Sequence, residues 1–347
     1  MDIRTVVTEL QAGRPAPLAR AISIVENGRP GFEQLLASIH PRLGHARRIG
    51  ITGPPGAGKS TLTERLVTAY RAQGLRVAVV AVDPTSPFTG GALLGDRIRM
   101  ESIALDRDVY IRSMATRGSL GGLATSTREV CDVLDAAGFD RILVETVGVG
   151  QSELDVTRTA DSTVLVLVPE SGDGIQALKS GVMEAADLYV VNKADRPGAD
   201  RLRQEIEVTL GIRQGNAFRN VPAHHGALKS AERQRARAAG DPAAERWSPP
   251  VLGTVAARGE GIDELVQKLD AHHAWLTASG TLEVRRRERF RERTREVVTR
   301  HALAWLREET EAERRIADRL DEIAAGRVSP YEVAGEVLDH LRQGARA

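Results

Sequence analysis

Short runs of apolar, mostly β-branched residues alternate with longer amphipathic stretches from residue 47 onward. Several of these runs are almost continuously apolar, which is typical of parallel strands that are covered on both faces. Because helical stretches separate the runs, the pattern predicts an α/β fold with a doubly wound, mainly parallel sheet. The predicted strands are Arg48–Thr52, Val77–Val82, Ile142–Glu145, Val164–Val168, Leu188–Val191 and Val251–Val255.

Helices are predicted on both sides of this region. Residues 1–46 carry apolar positions at helical spacing between prolines, and residues 263–276 form an amphipathic pattern that closes the sheet domain. Residues 281–347 predict a highly charged helical arm, which includes a capping box with proline at its first helical position, Ser-Pro-Tyr-Glu at 329–332. Such an arm buries little by itself, so we expect it to pack on the main domain or on a second copy. The predicted domains are residues 1–46, 47–280 and 281–347.

Composition narrows the class of protein. The 347 residues are 41% hydrophobic and 27% charged, which fits a globular protein with a large core. Basic residues (48) balance acidic residues (47), and aromatic residues are only 3%, so we expect no nucleic-acid partner. Cys131 is the single cysteine, which excludes an intramolecular disulfide and a Cys-rich metal site.

The sequence also lacks the features of an exported or membrane-bound chain. Its first residues do not combine a basic region with the apolar region of a signal peptide. The longest apolar runs have the length of strands and fall far short of the roughly 20 residues that span a bilayer. We therefore expect a cytoplasmic protein with no membrane contact.

A phosphate-binding loop is the strongest chemical signal in the sequence. The segment GPPGAGKS at 53–60 fits the motif G-x-x-x-x-G-K-[ST], follows a predicted strand and opens a helix. Lys59 is expected to reach the β- and γ-phosphates, and the Ser60 hydroxyl to ligate Mg²⁺. A dinucleotide fingerprint fails because Thr61 and Glu153 stand where its third glycine is needed. The predicted nucleotide contacts here are Gly53, Gly56, Ala57, Gly58, Lys59, Ser60 and Thr61.

The segment NKAD at 192–195 predicts a preference for guanine. The Asp195 carboxylate can accept hydrogen bonds from the guanine N1–H and 2-amino groups, and adenine offers neither donor. Asn192 is expected to hold the loop and touch the base, while the stem of Lys193 packs over the base. After the last predicted strand, the Ala256 N–H is expected to meet the guanine carbonyl oxygen.

Acidic residues at predicted strand ends suggest a magnesium and catalytic site. Glu145 ends one core strand, and Asp83 follows another. Asp96 lies beyond a glycine-containing stretch, and Gly148 is expected to let the backbone meet a γ-phosphate. Which of Asp83, Asp96 and Glu145 ligates Mg²⁺, and which orients the attacking water, stays open at this point.

Slow intrinsic hydrolysis is expected from one substitution in this region. Many G proteins place a water-positioning glutamine directly after the glycine that corresponds to Gly148, and Val149 occupies that position here. Gln151 follows two positions later. A partner or a rearrangement of the switch would then complete the site.

The adjacent pairs His224-His225 and His272-His273 do not share a face of a helix or strand, so we assign them no metal. The role of Arg117 stays open.

Five segments of the chain together resemble the MeaB/ArgK family of P-loop GTPases. They are GPPGAGKS at 53–60, DPTS at 83–86, RSMATRG at 112–118, ETVGVGQSE at 145–153 and NKAD at 192–195. The resemblance covers nearly the whole chain, and the segment at 145–153 is highly specific. It implies a GTPase fold of the SIMIBI type, in the group that includes metallochaperone GTPases, with N-terminal helices and a C-terminal helical dimerisation arm.

The resemblance also implies partners and further site residues. Members of the family are homodimers that chaperone an adenosylcobalamin-dependent acyl-CoA mutase, methylmalonyl-CoA mutase in the first place. They use GTP to gate cofactor loading from an adenosyltransferase, and they help to expel inactivated cobalamin. Residues that match Asp83, Asp96 and Glu145 take part in Mg²⁺ binding and hydrolysis, with Lys59 on the phosphates. The loop 169–179 matches the family's third switch, in which we single out Lys179.

Two other functions compete with this interpretation. A metallochaperone GTPase of the nickel or cobalt delivery kind is disfavoured by the single cysteine and the lack of clustered histidines. A regulatory scaffold with a merely structural nucleotide is disfavoured by the complete phosphate-binding loop, although the absent glutamine keeps it open. The sequence leaves open whether methylmalonyl-, isobutyryl- or ethylmalonyl-CoA mutase is served.

Overall fold

A seven-stranded parallel sheet forms the centre of the first compact unit, Met1–Arg285. The computed structural model describes residues 3–11, 15–84, 100–116, 122–146, 152–170, 182–213, 247–308 and 310–344. The strands are β1 (Arg47–Thr52), β2 (Val77–Pro84), β3 (Val109–Thr116), β4 (Arg141–Thr146), β5 (Ser162–Leu167), β6 (Leu188–Asn192) and β7 (Val251–Thr254). Their order is β3-β2-β4-β1-β5-β6-β7, and each pairing between them is parallel.

Helices connect the strands and extend the chain at both ends. In chain order they are α1 (Ile3–Gln11), α2 (Pro15–Glu26), α3 (Phe32–Ile39), α4 (Lys59–Ala72), α5 (Glu101–Ala104), α6 (Gly122–Ala136), α7 (Ser152–Thr159), α8 (Val182–Ala185), α9 (Ala199–Arg213), α10 (Ile262–Ala278), α11 (Thr281–Glu308), α12 (Ala312–Asp318), α13 (Leu320–Ala324) and α14 (Pro330–Gly344). Of these described helices, none combines the length and the apolar character that a membrane span requires.

Each face of the sheet has its own apolar core, because successive side chains of a strand point to opposite faces. On one face, Val80 and Ile142 share a core with the N-terminal helices α1, α2 and α3. On the opposite face, Ile51 and Val79 share a core with α4 and α10. Helices therefore cover both faces, which explains the continuous apolar runs in the strands. The predicted α/β fold with a doubly wound parallel sheet is confirmed.

The sequence pattern missed β3, which lies at one edge of the sheet. This strand pairs with β2 along its whole length. Arg112 and Ser113 interrupt its apolar pattern, and the side chains from Val109 to Ser113 are only half-buried. An edge strand of this kind lacks the continuous apolar run on which the prediction relied. The bounds of the other strands differ from the predicted ones by at most two residues.

The carboxylate of Asp135 ties the N-terminal extension to the sheet. Its Oδ2 accepts the N–H of Gly44 at 2.8 Å, and its Oδ1 accepts the N–H groups of His45 and Ala46 at 3.1 and 2.9 Å. Arg48 of β1 lies 3.4 Å from the same carboxylate. The extension and the sheet domain belong to one compact unit, Met1–Arg285.

The second compact unit is Arg286–Ala347. Within it, Ala312, Val333 and Val337 are buried between α12 and α14. The predicted capping box is present at the start of α14. The Ser329 N–H donates to Glu332 Oε2 at 2.7 Å, and the Glu332 N–H donates to Ser329 Oγ at 3.2 Å. This reciprocal pair satisfies two N–H groups that a helix start leaves without an intrahelical acceptor.

A buried polar cluster lies at the amino ends of β5 and β6. His272 of α10 is fully buried, and its Nδ1 lies 2.8 Å from Ser162 Oγ. Its Nε2 lies 3.4 Å from Asp187 Oδ1, which also accepts from Arg285 at 2.9 Å. Burial lowers the pKa of His272 from 6.5 to about 4; Asp187 opposes this shift, and Arg285 reinforces it. The histidine is therefore neutral at pH 7, as part of the core.

This low pKa predicts a pH-dependent stability. Between pH 6.5 and pH 4 the unfolded chain binds a proton at His272 that the folded protein refuses, so stability is complete above pH 6.5 and falls as the pH is lowered. The expected loss for this group between pH 7.5 and pH 5 is about 2 kcal/mol. Urea unfolding at both pH values, on the full chain and on His272→Gln, measures it as the difference between the two proteins.

The neighbouring residue of the same helix provides the control for this measurement. His273 is only half-buried and contributes less to the low pKa of His272 than burial does, so His273→Gln should keep most of the pH dependence of the unmodified chain. If His272→Gln does not fold, the imidazole resonances of the unmodified protein give the pKa directly. A His272 resonance that titrates near pH 6.5 contradicts the expectation.

Candidate nucleotide-binding site

The phosphate-binding loop connects β1 to α4 at the carboxyl edge of the sheet. In parallel α/β sheets, ligands bind at this edge, where the connections of neighbouring strands leave toward opposite faces. β1 lies between β4 and β5. At its end, Thr146 of β4 donates to Thr52 of β1, with 3.2 Å between the hydroxyl oxygens. The predicted phosphate, metal and base motifs all follow strands that end at this edge.

Two glycines of the loop stand where a side chain does not fit. Gly53 has a φ of 138°, and a Cβ atom there would lie 2.0 Å from the carbonyl oxygen of Val166 in β5. Gly58 has a φ of 82°, and its Cβ would lie 2.5 Å from Asn192 Nδ2. Both positions combine a left-handed backbone with a close approach, so both need glycine.

The ammonium of Lys59 is held inside the loop. Its Nζ donates to the carbonyl oxygens of Gly53 at 2.8 Å and Pro54 at 2.9 Å, and the residue is 5% exposed. A buried cation is unfavourable unless anionic groups balance it, and phosphate oxygens in the loop would do so. The N-terminus of α4, with Thr61 half-buried in its first turn, adds the partial positive charge that favours an anion here.

Ser60 and Glu145 lie together as the sequence predicted. The Ser60 hydroxyl donates to Glu145 Oε1 at 2.6 Å, and Glu145 is 4% exposed at the end of β4. Magnesium prefers oxygen ligands, and two neighbouring ligands of its octahedral shell lie roughly 3 Å apart. This pair of oxygens, beside the phosphate-binding loop, fits Mg²⁺ in its chemistry, and the hydrogen bond between them shows that both side chains reach the same point.

The backbone of Asp83 also lies at this edge. It extends β2 and pairs with Ala115 of β3, one residue beyond the pairing of Val82 with Thr146. The Asp83 side chain is outside the described residues. The same holds for the whole of Asp96, Gly148, Gln151, Lys179 and Arg117, so their roles stay predictions.

Asn192 joins the phosphate-binding loop to the base-recognition loops. Its side-chain amide is buried and donates to the Ala57 carbonyl oxygen at 2.8 Å. Its Oδ1 accepts from the Thr254 hydroxyl and from the Ala256 N–H, both at 3.1 Å. The predicted holding role of Asn192 thus has a geometric basis. The Ala256 N–H, which the sequence assigned to the guanine carbonyl, is instead donated to Asn192 here, so a base would have to share or replace this bond.

Asp195 and Lys193 lie on the following turn. Asp195 Oδ2 accepts from Arg258 Nη2 at 2.9 Å, and both groups reach solvent. Lys193 has a φ of 57°, which non-glycine residues rarely adopt, and its ammonium lies 4.0 Å from Glu170. Glu170 also accepts from Arg196. Residues held in such conformations concentrate at functional sites.

Sequence reasoning missed two arginines at this site. Arg65 of α4 donates through Nε to the Ala256 carbonyl at 3.0 Å and through Nη2 to the Ala257 carbonyl at 2.9 Å. Arg258 pairs with Asp195 as described above. No local sequence pattern identifies either arginine, because each one contacts residues that lie far away along the chain. Arg258 follows the predicted base contact Ala256 by two residues, and this closeness is the one signal that could have drawn attention to it.

The residues that form this site lie in a part of the chain that matches a known protein family. The family model described as methylmalonyl-CoA mutase-associated GTPase MeaB matches residues 18–311. The chain belongs to the MeaB family. The family predicted from the sequence is therefore confirmed, and the phosphate-binding loop, Glu145 and the segment 192–195 all fall within the matched range.

Several relatives of this MeaB-family chain match most of its length. A putative GTPase from Pyrococcus abyssi is 42% identical over 99% of this chain and 98% of its own length. GTPase ArgK of Escherichia coli is 37% identical over 88% of this chain and 83% of its own. The mouse methylmalonic aciduria type A homolog, a mitochondrial protein, is 32% identical over 95% of this chain and 77% of its own. Among solved structures, an LAO/AO transport system kinase covers 98% of this chain and is itself 97% covered, with 28% identity and a TM-score of 0.64.

The three hydrogen bonds of Asn192 predict a large effect of its removal. Asn192→Ala leaves the Ala57 carbonyl, the Thr254 hydroxyl and the Ala256 N–H without this partner at a buried position. We expect unfolding to become easier by about 2–4 kcal/mol, as measured by urea unfolding of the nucleotide-free protein.

Thr254→Val is the matched control because it removes only one of these three bonds. It should cost about 1 kcal/mol. Equal losses for the two variants would mean that Asn192 does not connect the loops.

Proposed function

We propose that this protein binds and hydrolyses GTP and acts as a chaperone of an adenosylcobalamin-dependent acyl-CoA mutase, with methylmalonyl-CoA mutase as the first candidate. Its nucleotide state gates loading of the cofactor, which arrives from an adenosyltransferase, and protects or reactivates the mutase. The observation that carries the proposal is the buried Asn192 bridge, which brings a complete phosphate-binding loop next to a base-recognition loop.

Guanine recognition depends on Asp195 in this proposal. Its carboxylate accepts from the N1–H and the 2-amino group of the base, and Asn192 keeps the loop in place. A purine without these donors would leave the carboxylate without hydrogen bonds from the base, and a site built in this way rejects such a base. Lys193 packs its aliphatic stem over the ring. The Ala256 turn adds a contact to the base carbonyl once its bond to Asn192 is shared.

Hydrolysis uses the residues around the γ-phosphate. Lys59 supplies a fixed positive charge, and the loop N–H groups orient the phosphates for in-line attack by water. Ser60 and Glu145 hold the metal site, and Mg²⁺ when bound neutralises charge on the phosphate oxygens. Asp83 and Asp96 are our candidates for orienting the attacking water or contacting the metal. Since Val149 replaces the usual glutamine, hydrolysis by the protein alone is slow and a partner accelerates it.

The partnership with a mutase is supported by the family to which the chain belongs. The matching family is described as mutase-associated, and a relative is named for methylmalonic aciduria.

Helix α11 leaves Val298, Leu303 and Trp305 exposed. Exposed apolar side chains on one helix favour association, so we propose that the arm forms the homodimer. The loop 169–179, with Lys179, then reports the nucleotide state to the mutase together with Gly148 and Gln151.

Asp195→Asn tests the guanine pocket. The new amide can donate to the 2-carbonyl of xanthine, whereas it repels the guanine 2-amino group. We expect GTP affinity to fall about 100-fold and xanthosine triphosphate affinity to rise by a similar factor, as measured by calorimetry.

Asp200→Asn provides the matched control, because it makes the same chemical change at an exposed position at the start of α9. It should leave both affinities unchanged. If Asp195→Asn prefers GTP over xanthosine triphosphate as strongly as the unmodified protein, the proposed base pocket is wrong.

The chaperone role predicts different mutase affinities for the two nucleotide states. A switch acts only through such a difference, and we expect at least about fivefold between the protein loaded with a non-hydrolysable GTP analogue and with GDP. Calorimetry with purified methylmalonyl-CoA mutase measures it, and isobutyryl- and ethylmalonyl-CoA mutases are tested in parallel. Equal affinities with every mutase would favour the regulatory scaffold instead.

A further inference from the structure

Arg65 connects the helix of the phosphate-binding loop to the turn that follows β7. Six residues after Lys59 on α4, its guanidinium donates to two consecutive carbonyl oxygens, Ala256 at 3.0 Å and Ala257 at 2.9 Å. A planar guanidinium with two such bonds fixes both the position and the orientation of its partners. The turn Ala256–Arg258 is therefore tied to α4 as well as to its own strand.

The same turn borders the base pocket on two other sides. Asn192 accepts the Ala256 N–H at 3.1 Å, and Arg258 donates to Asp195 at 2.9 Å. Since Asp195 is the carboxylate that we assign to the guanine N1–H and 2-amino groups, the turn lies along the adjoining edge of the base. That edge carries the guanine carbonyl oxygen.

Peptide geometry gives the bonds of Arg65 a consequence for this edge. The C=O and N–H of a trans peptide point in opposite directions. With its carbonyl directed at Arg65, the Ala256–Ala257 peptide turns its N–H away from α4. Hydrogen bonding to the carbonyl also polarises the same peptide, which strengthens its N–H as a donor.

We propose that Arg65 is a positioning residue for guanine recognition, which holds the Ala256–Arg258 turn so that the Ala257 N–H, together with the shared Ala256 N–H, meets the carbonyl oxygen of the base. The Arg258 N–H is donated to the Val255 carbonyl at 2.9 Å and takes no part in this contact. This inference rests on the proposed function, because it assumes that guanine occupies the pocket. Arg65 itself touches neither base nor phosphate in this role. It sets the affinity for one edge of the base, while Asp195 sets the affinity for the other.

Sulfur substitution of the base provides the decisive probe. 6-Thio-GTP keeps the N1–H and the 2-amino group but replaces the carbonyl oxygen by a weak acceptor. Inosine triphosphate keeps the carbonyl oxygen and lacks the 2-amino group. We expect Arg65→Ala to weaken GTP and inosine triphosphate by about fivefold to tenfold, and 6-thio-GTP by less than about twofold. Calorimetry on the full chain with Mg²⁺ measures all three affinities.

Two further variants separate positioning from mere structure or charge. Arg65→Lys keeps the charge but replaces the planar fork by a single ammonium nitrogen, which is less able to hold two carbonyl oxygens in a fixed orientation, so it should show an intermediate loss with the same selectivity. Arg71→Ala removes an arginine of the same helix that pairs with Asp106 and Asp108 instead. It should leave the ratio of GTP to 6-thio-GTP affinity unchanged, even where it lowers the unfolding temperature.

The outcomes distinguish this inference from the proposed function. An Arg65→Ala protein that loses GTP and 6-thio-GTP affinity equally, or loses neither, overturns the positioning role, because a general loss of charge or stability acts on both nucleotides. The Asp195→Asn exchange of GTP for xanthosine triphosphate would still stand in that case. If the unmodified chain does not prefer GTP over ATP, the proposed function fails, and the positioning role fails with it.

Discussion

A buried amide joins the two halves of the candidate nucleotide site. Asn192 donates to the phosphate-binding loop and accepts from the last residue of β7 and from the turn that follows it. Only a side chain that is both donor and acceptor can do this; a carboxylate would meet the Ala57 carbonyl with a like partial charge, and a leucine would satisfy neither loop. Because residues in one hydrogen-bond network are energetically coupled, the phosphate end and the base end of the site do not vary independently.

The sheet makes this arrangement possible by bringing distant segments to one edge. Parallel strands direct all their carboxyl ends the same way, so loops separated by more than a hundred residues meet beside β1. The amino edge has a different task. There, Asp135 gathers three N–H groups of the N-terminal extension, and the His272 cluster fills the space below β5 and β6. Binding chemistry and structural anchoring are thus divided between the two edges.

Local signals made the phosphate-binding loop, Glu145 and the 192–195 segment predictable from the sequence, since each is a short motif directly after a buried strand. The six predicted strands were recognisable because each is a continuous apolar run, which is also a local signal. β3 escaped because its half-buried residues break the apolar run. Arg65 escaped because its partners are 191 and 192 residues away along the chain. The bond that occupies the Ala256 N–H was equally invisible, since it depends on how two loops pack in three dimensions.

The approach of Gly53 to β5 has a consequence for how such a site can be altered. With the Val166 carbonyl only 2.0 Å from where a methyl group would stand, any larger residue at position 53 would push the first and fifth strands apart. The first residue of the phosphate-binding loop therefore packs directly against the backbone of β5. A weaker nucleotide site therefore has to be made by changing side chains that point into it, such as that of Lys59. Replacing Gly53 would disrupt the packing of the sheet as well as the binding of the nucleotide.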